Sequence, residues 1–388
     1  MTMKTNNAVR RGMALLLTAG MTTAMISVPA FAADEIVIGG IFNVTGDQSS
    51  LDEPTQQGFD LAVKEINAAG GVNGKQLKAV YYDGQTDTAV CASDAKKLIN
   101  NDDAVALAGF SDSDYAYAGG AVAQDAGVPF VFTGATTPDI PSTVGDCAFL
   151  AAFGDDVCAH AAADYASQEL GAKTAYVLTD KSMRYTTNLS EYFIEQFEKD
   201  GGKVVLQDYF QSGDYDYSAQ ISRYQKLGDE AGIMFMATGP DDASTVIQQY
   251  RSAGVAAPMI SGDGWDTDLW GVAGDLANQD VYVCTHFSAD DDSEKVQNFI
   301  SAYKKAYGKA PENAFAALGY DTAYLIASAV KACGDDVTPA NIRDQLENTK
   351  GFEGVTGTIS YSKESHVPDK TVVVTQAEDG MLKFRKDI

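Results

Sequence analysis

Two loops near the middle of the chain place hydroxyl and carboxylate side chains where they can grip a small polar molecule. Residues 104–110 are apolar and end in Ser111-Asp112-Ser113-Asp114; residues 128–132 are apolar and end in Thr133-Gly134-Ala135-Thr136-Thr137-Pro138. Short apolar runs that break into small hydroxyl residues read as parallel strands ending at a crevice, where open α/β sheets bind their ligands. Ser113 is a good N-cap for a helix expected over 113–125, and the free N–H groups after it suit an anionic or polar group. The plainer alternative is that Ser113 and Thr136 cap a helix and a turn and do nothing more. Asp112 and Asp114 flank Ser113, and like charges there weaken an anion site and favour a cation or a neutral hydroxyl. Together with Asp263, Asp266, Tyr115, Tyr185 and Trp265, they form a set that suits a small amine, its ammonium between carboxylates and aromatic faces. The competing reading turns Asp112 and Asp114 to solvent, where they support the helix start. Trp265 lies in Gly262-Asp263-Gly264-Trp265-Asp266, a turn and not a core strand, so it is expected in the cleft.

These loops need a scaffold of alternating strands and helices. Residues 35–42 (EIVIGGIF) form a strand pattern, and Phe59, Ala62, Val63 and Ile66 recur at helical spacing within 53–69 before Gly70-Gly71 stops the helix. Strand 77–82, helix 88–100, strand 104–110, helix 113–125 and strand 128–132 follow. A second series runs from helix 155–170 through strands 173–179, 203–210, 232–237 and 258–261, with helices between them, to strand 281–284. Helical patterns at 293–307, 314–332 and 339–348 come next, then strand patterns beyond residue 357. Repeated βα units mean an α/β fold with parallel sheets and helices on both faces. Five loop clusters should face a cleft: 45–51, 111–117, 134–138, 180–185 and 262–266.

Lys4, Arg10 and Arg11, the apolar stretch 14–28 and Pro29-Ala30-Phe31-Ala32 read as a signal peptide over 1–32 with an A-x-A cleavage site. No cysteine lies near that site, so a lipid anchor is not expected, and the mature chain should be periplasmic. About 356 residues would remain, which suits two lobes better than one core. The net charge of −26 argues against nucleic acid and anionic membrane surfaces as partners. The five cysteines, Cys91, Cys147, Cys158, Cys284 and Cys333, leave at least one thiol unpaired. Cys147 and Cys158 are close enough in sequence to staple the segment between the lobes, whereas Cys284 and Cys333 read equally well as buried thiols. The scattered His160, His286 and His366, with no C-x-x-C, argue against a zinc site. No G-x-S-x-G, P-loop, G-x-G-x-x-G or H-E-x-x-H occurs, so no enzyme is expected. Acidic pairs such as Asp155-Asp156 fit the general acidity better than catalysis.

The string INAAGGVNGKQL and the stretch GFSDSDYAYAGGAVAQDAGVPFVFTGATTP resemble the branched-chain amino acid (leucine/isoleucine/valine-binding) family of type I periplasmic solute-binding proteins, the capturing parts of ABC importers. The resemblance covers the chain after residue 32. It implies two lobes (33–152 with 286–362, and 153–285 with 363–388) joined by three hinge crossovers, closing on a ligand in the manner of a Venus flytrap. It also implies ABC permease subunits as partners, a monomer and no cofactor. Mapped on the family pattern, Ser113 and Thr136 take the ligand α-carboxylate, the Gly134 carbonyl and Asp263 take the ammonium, and Tyr185 lines the second lobe. Leu51 and Gly239 stand where that family carries aromatic residues. An amino acid and a small amine or amino alcohol both remain as ligands, and a receptor-docking sensor remains as an alternative role.

Overall fold

The computed structural model describes residues 35–213, 215–228 and 230–388. The expected signal peptide, 1–32, lies outside the described residues. The first series comprises β1 (Glu35–Phe42), α1 (Ser49–Ala68), β2 (Gln76–Asp83), α2 (Thr88–Asn100), β3 (Ala106–Gly109), α3 (Ser113–Ala126), β4 (Phe130–Phe132), α4 (Ile140–Val144) and β5 (Ala148–Leu150). Its sheet has the order β2-β1-β3-β4-β5 and is parallel throughout. The second series comprises α5 (Asp155–Asp164), β6 (Thr174–Asp180), α6 (Arg184–Lys199), β7 (Lys203–Phe210), α7 (Ser218–Gln225), β8 (Ile233–Ala237), α8 (Pro240–Ser252), β9 (Met259–Ser261), α9 (Trp270–Ala273) and β10 (Val281–Thr285). After it come α10 (Glu294–Tyr307), α11 (Phe315–Ala332), α12 (Pro339–Glu347), the short pair β11 (Phe352–Gly354) and β12 (Gly357–Ile359), and the tail strands β13 (Val373–Glu378) and β14 (Met381–Asp387).

The second sheet, β14-β13-β10-β9-β8-β6-β7, departs from the wholly parallel sheet expected of each lobe. Its β13 runs antiparallel to both β10 and β14. The cause is local. Asp379 and Gly380 both have positive φ (49° and 80°), the two-residue turn that closes a hairpin, and a hairpin is antiparallel.

Helix α1 starts at Ser49, earlier than the expected 53, and carries Pro54 inside it. Pro54 has no N–H for the Ser50 carbonyl, and the Asn313 side chain donates to that oxygen instead (3.0 Å). The α1–α11 crossing is close. A Cβ on Gly58 would lie 1.8 Å from the Ala316 carbonyl oxygen, and one on Gly319 would lie 2.0 Å from that of Thr55. This approach sets the start of α11, and with it Phe315, over the carboxyl ends of the first sheet.

Both sheets reverse winding direction at one strand. In the first, β2 and β3 lie on opposite sides of β1; in the second, β7 and β8 lie on opposite sides of β6. The crevice outside a strand's carboxyl end at such a reversal is where open α/β sheets bind ligands. The loops after β1, β3, β6 and β8 meet there.

Candidate functional site

On the first-sheet side, Asp112 and not Ser113 is the N-cap of α3. Its Oδ1 accepts from Asp114 N at 2.9 Å. Ser113 is the first helical residue, and its Oγ accepts from Thr137 N (3.3 Å), joining the two loops that the sequence singled out. Asp112 does not face solvent: it is 5% exposed. Burial, and then the Asp114 charge, push its carboxyl up to about 7. Asp114 is half-buried and accepts from Arg184 N on α6 across the cleft (3.5 Å). Ser111 donates to Asp52 Oδ1, and Asn43 N to Asp52 Oδ2 (2.7 Å); burial pushes Asp52 up to about 6. Tyr115 packs against Phe110 beside the first core, with ring centroids 6.4 Å apart. It does not join the aromatic set expected around an ammonium.

Thr136 is buried, and its carbonyl accepts from Asp155 N (2.7 Å). Thr137 Oγ1 donates to Asp155 Oδ2 (2.9 Å), and Asn188 reaches the same hydroxyl from α6 (3.4 Å). Asp155 is fully buried, its Oδ1 has no partner among the described residues, and burial pushes its carboxyl up to about 8. Gly134 sits against Phe315: a Cβ there would lie 2.6 Å from the ring.

On the second-sheet side, Asp263 is 2% exposed and held from two directions. Tyr185 donates to its Oδ1 (3.0 Å) while accepting from Gly264 N (3.0 Å), and His286 Nε2 lies 2.8 Å from its Oδ2. Two neighbours in the same turn behave differently from expectation. Trp265 is not in the cleft but wholly buried in the core of the second sheet, where its Nε1 donates to Thr238 Oγ1 (2.7 Å). The single 3₁₀ turn at Asp263–Trp265 points Asp263 one way and the indole the other. Asp266 accepts from Thr285 Oγ1 (2.5 Å) and from Ala314 N (3.0 Å), so it ties β10 to the start of α11.

Between the two sides remains a space of about 10 Å³, lined on its polar side by Gln48, Ser111, Asp112, Tyr185 and Asp263. Leu51, Met183, Pro240 and Phe315 form its apolar side. Met183 Sδ lies 2.9 Å from where a Cβ on Gly239 would stand, so it fills the space beside that glycine. The two sides touch further out as well: the Arg184 guanidinium lies over the Tyr117 ring at 4.7 Å. A larger, open depression of about 740 Å³ lies between the segment after β10, the β11–β12 turn and the tail strands, with Phe287, Val355 and Phe384 beside Asp290, Asp291 and Asp387 in its lining. The cleft, and not this depression, lies at the winding reversals of both sheets, so it is the better site.

Sequence reasoning missed Asp52, Asp155 and His286. Asp52 stands one residue beyond the 45–51 loop. Asp155 was visible only as one of a pair of acids, and His286 only as one scattered histidine. All five cysteines are free thiols, so the expected Cys147–Cys158 staple is absent; Cys158 lies instead beside Cys284, its Sγ 4.0 Å from that residue's carbonyl oxygen. Among the described residues no cluster of metal-ligating side chains occurs, and no helix is long and apolar enough to cross a membrane.

Two α/β lobes with acidic and hydroxyl groups converging between their strand ends define a ligand-capturing protein of the two-lobe kind. The chain belongs to the periplasmic binding protein family, whose pattern it matches over residues 35–381. It is 27% identical to a leucine-, isoleucine-, valine-, threonine- and alanine-binding protein of Pseudomonas aeruginosa, over 90% of this chain and 91% of that one. Among solved structures it resembles the substrate-binding protein of a branched-chain amino acid transporter from Streptococcus pneumoniae in complex with isoleucine. That match has 29% identity, a TM-score of 0.83, and covers 91% of this chain and 99% of that one. A leucine-binding protein of Thermotoga maritima matches with 26% identity and a TM-score of 0.84, over 91% and 98% of the two chains.

Proposed function

We propose that this chain is the ligand-capturing component of an ABC importer, holding a branched-chain aliphatic amino acid between its lobes in the periplasm and delivering it to permease subunits in the inner membrane. One observation carries the reading: the cleft lining divides into an apolar wall of Leu51, Met183, Pro240 and Phe315 and a polar wall around Asp263. An aliphatic side chain fits the first, and a buried ammonium needs the charge of the second. The ammonium pairs with Asp263 and the Gly134 carbonyl, beside Tyr185. The ligand carboxylate turns to Ser113, Thr136 and the first N–H groups of α3. Asp112, pushed up to about 7, is able to carry a proton and to donate to that carboxylate instead of repelling it. The relatives that bind leucine, isoleucine and valine support the same reading.

The remaining space of about 10 Å³ is the size of one water and far below that of an amino acid. Loading therefore requires the lobes (33–152 with 286–362, and 153–285 with 363–388) to part about their three crossovers. The ligand then shifts the population toward the closed form that the permease recognises. The protein acts as a monomer without a cofactor and returns its ligand unchanged.

A thermal-shift screen of the purified mature chain tests this. Isoleucine, leucine, valine, threonine, alanine and ethanolamine are each added in excess, since a ligand bound only by the folded state raises Tm by mass action. Isoleucine, leucine and valine should give the largest rises. A rise with ethanolamine alone would replace the amino acid by a small amine, and conversion of the ligand would make the protein an enzyme.

A further inference from the structure

His286 lies directly after β10, on the segment that leaves the second sheet, and is fully buried. Its ring stacks on Phe153 (centroids 3.9 Å apart, planes at 25°), a residue of another of the segments that cross between the lobes, from β5 to α5. Its edge meets Phe315, which packs in turn on Gly134. The imidazole is thus clamped between two crossovers, with one nitrogen on the carboxylate proposed to hold the ligand ammonium.

The protonation of that ring follows from its partners. A bare nitrogen 2.8 Å from a carboxylate oxygen is repelled by it, so Nε2 carries the hydrogen and donates to Asp263 Oδ2. Nδ1 has no partner among the described residues, and desolvation pushes the imidazole down from its ordinary range toward the neutral form. Neutrality matters here. An imidazolium would cancel the Asp263 charge and compete with a ligand ammonium, whereas a neutral donor fixes the carboxylate and leaves its charge available.

We infer that His286 is a positioning residue of the ammonium site: as a neutral Nε2–H donor it aims Asp263 at the ligand and ties that carboxylate to the crossovers that bend when the lobes close. The inference rests on the proposed amino acid reading. Asp263 and Lys370 face His286 electrostatically, and Asp155, Asp266, Tyr185 and Cys158 face Asp263. Several of these groups titrate near neutrality, so the pH response is read as a difference between two proteins and not from one.

Calorimetric titration with isoleucine compares wild type, Asp263→Asn, His286→Leu and His286→Gln, each checked for folding by its melting curve. Asp263→Asn should lose roughly a hundredfold or more in affinity. His286→Leu should lose about tenfold, the loss expected for a buried hydrogen bond to a charged group. His286→Gln, whose amide donates from a similar reach and does not titrate, should bind within about threefold of wild type at neutral pH. On the acid side of the ordinary imidazole range wild type should weaken relative to His286→Gln, because only wild type acquires the imidazolium. The same affinity for His286→Leu as for wild type, with Asp263→Asn inactive, overturns the positioning role, as does an equal acid response of wild type and His286→Gln. Undiminished binding by Asp263→Asn, or no isoleucine binding by wild type, overturns the amino acid reading itself and the inference with it. If His286→Leu fails to fold, the glutamine comparison carries the test alone.

Discussion

The two walls of the cleft are both acidic, and they differ in what holds the charge. On the second-sheet wall, Asp263 has a fixed donor on each oxygen, Tyr185 and His286. On the first-sheet wall, Asp112 has one oxygen on its own helix N-terminus, and Asp52 and Asp155 are held by hydroxyl and backbone donors. Among the described residues the basic partner of this set is His286, and it serves Asp263. Burial without a counter-charge pushes Asp52, Asp112 and Asp155 up to about 6, 7 and 8. One wall is therefore a fixed acceptor, and the other gains or loses charge across the neutral range. A zwitterion suits that division, with its ammonium on the fixed side and its carboxylate beside groups able to carry a proton.

The titrating wall can be tested through stability first, where the effect is largest. A buried carboxyl with a raised pKa binds its proton in the folded state when the unfolded chain has already released it. Stability then falls as pH rises from the unfolded value toward the folded one. For Asp155 the window runs from 3.8 to about 8. Between about pH 6.5 and 7.5 Asp112 and Asp155 dominate, because Asp52 and Asp266 have titrated by about 6, the buried His286 works only on the acid side, and the buried Lys370, lowered to about 8, acts with the opposite sign only above that window. Each of the two groups, while protonated only in the folded state, lowers stability by about 1.4 kcal/mol for every pH unit climbed. Denaturant titration should show wild type losing stability across that window, and Asp155→Asn should be the more stable protein at about pH 8. A wild-type stability that rises instead would mean that the first wall has a counter-charge after all.

The next effect is on binding. Above about pH 7 Asp112 becomes an anion beside the ligand carboxylate, so isoleucine affinity should fall by up to about tenfold per pH unit. Asp112→Asn keeps an acceptor for Asp114 N and a donor for the ligand, so its calorimetric profile should fall less steeply than that of wild type, with Asp155 supplying what slope remains. For an amine without a carboxylate the sign reverses, and affinity rises with pH. The slope therefore separates the two ligand classes even before affinities are compared.

The βα alternation made most of the fold legible, because helical and strand periods are properties of adjacent residues. Strand β5, three residues long behind α4, left too short a pattern to read, and the Asp379-Gly380 turn was overlooked although it is a strong hairpin signal. In the site, Asp112 was legible because it lies in the short loop after β3, and Tyr185 through the family pattern. Asp263 was legible through the family pattern. Trp265 was not, since its direction depends on one 3₁₀ turn and on an acceptor, Thr238, from another strand. Asp155 and His286 were invisible for a related reason. Their partners, Thr137 and Asp263, belong to loops brought to them only by the packing of crossovers on both sheets.

The smallest effect concerns the contact that joins the walls. Arg184 lies over the Tyr117 ring from the opposite lobe, and its backbone N–H reaches Asp114. Arg184→Ala keeps the backbone contact and removes the cation–π interaction, which at an exposed residue contributes about 0.5–1 kcal/mol. If that contact helps hold the lobes together, the loss appears as a two- to fivefold faster ligand release, by roughly the same energy, while the association rate stays unchanged. Tyr117→Phe is the discriminating control. The tyrosine hydroxyl serves Asp139 on its own lobe, so phenylalanine keeps the face that Arg184 uses and should release ligand at nearly the wild-type rate. Equal acceleration in both variants would place the effect within the first lobe and remove Arg184 from the closure contact.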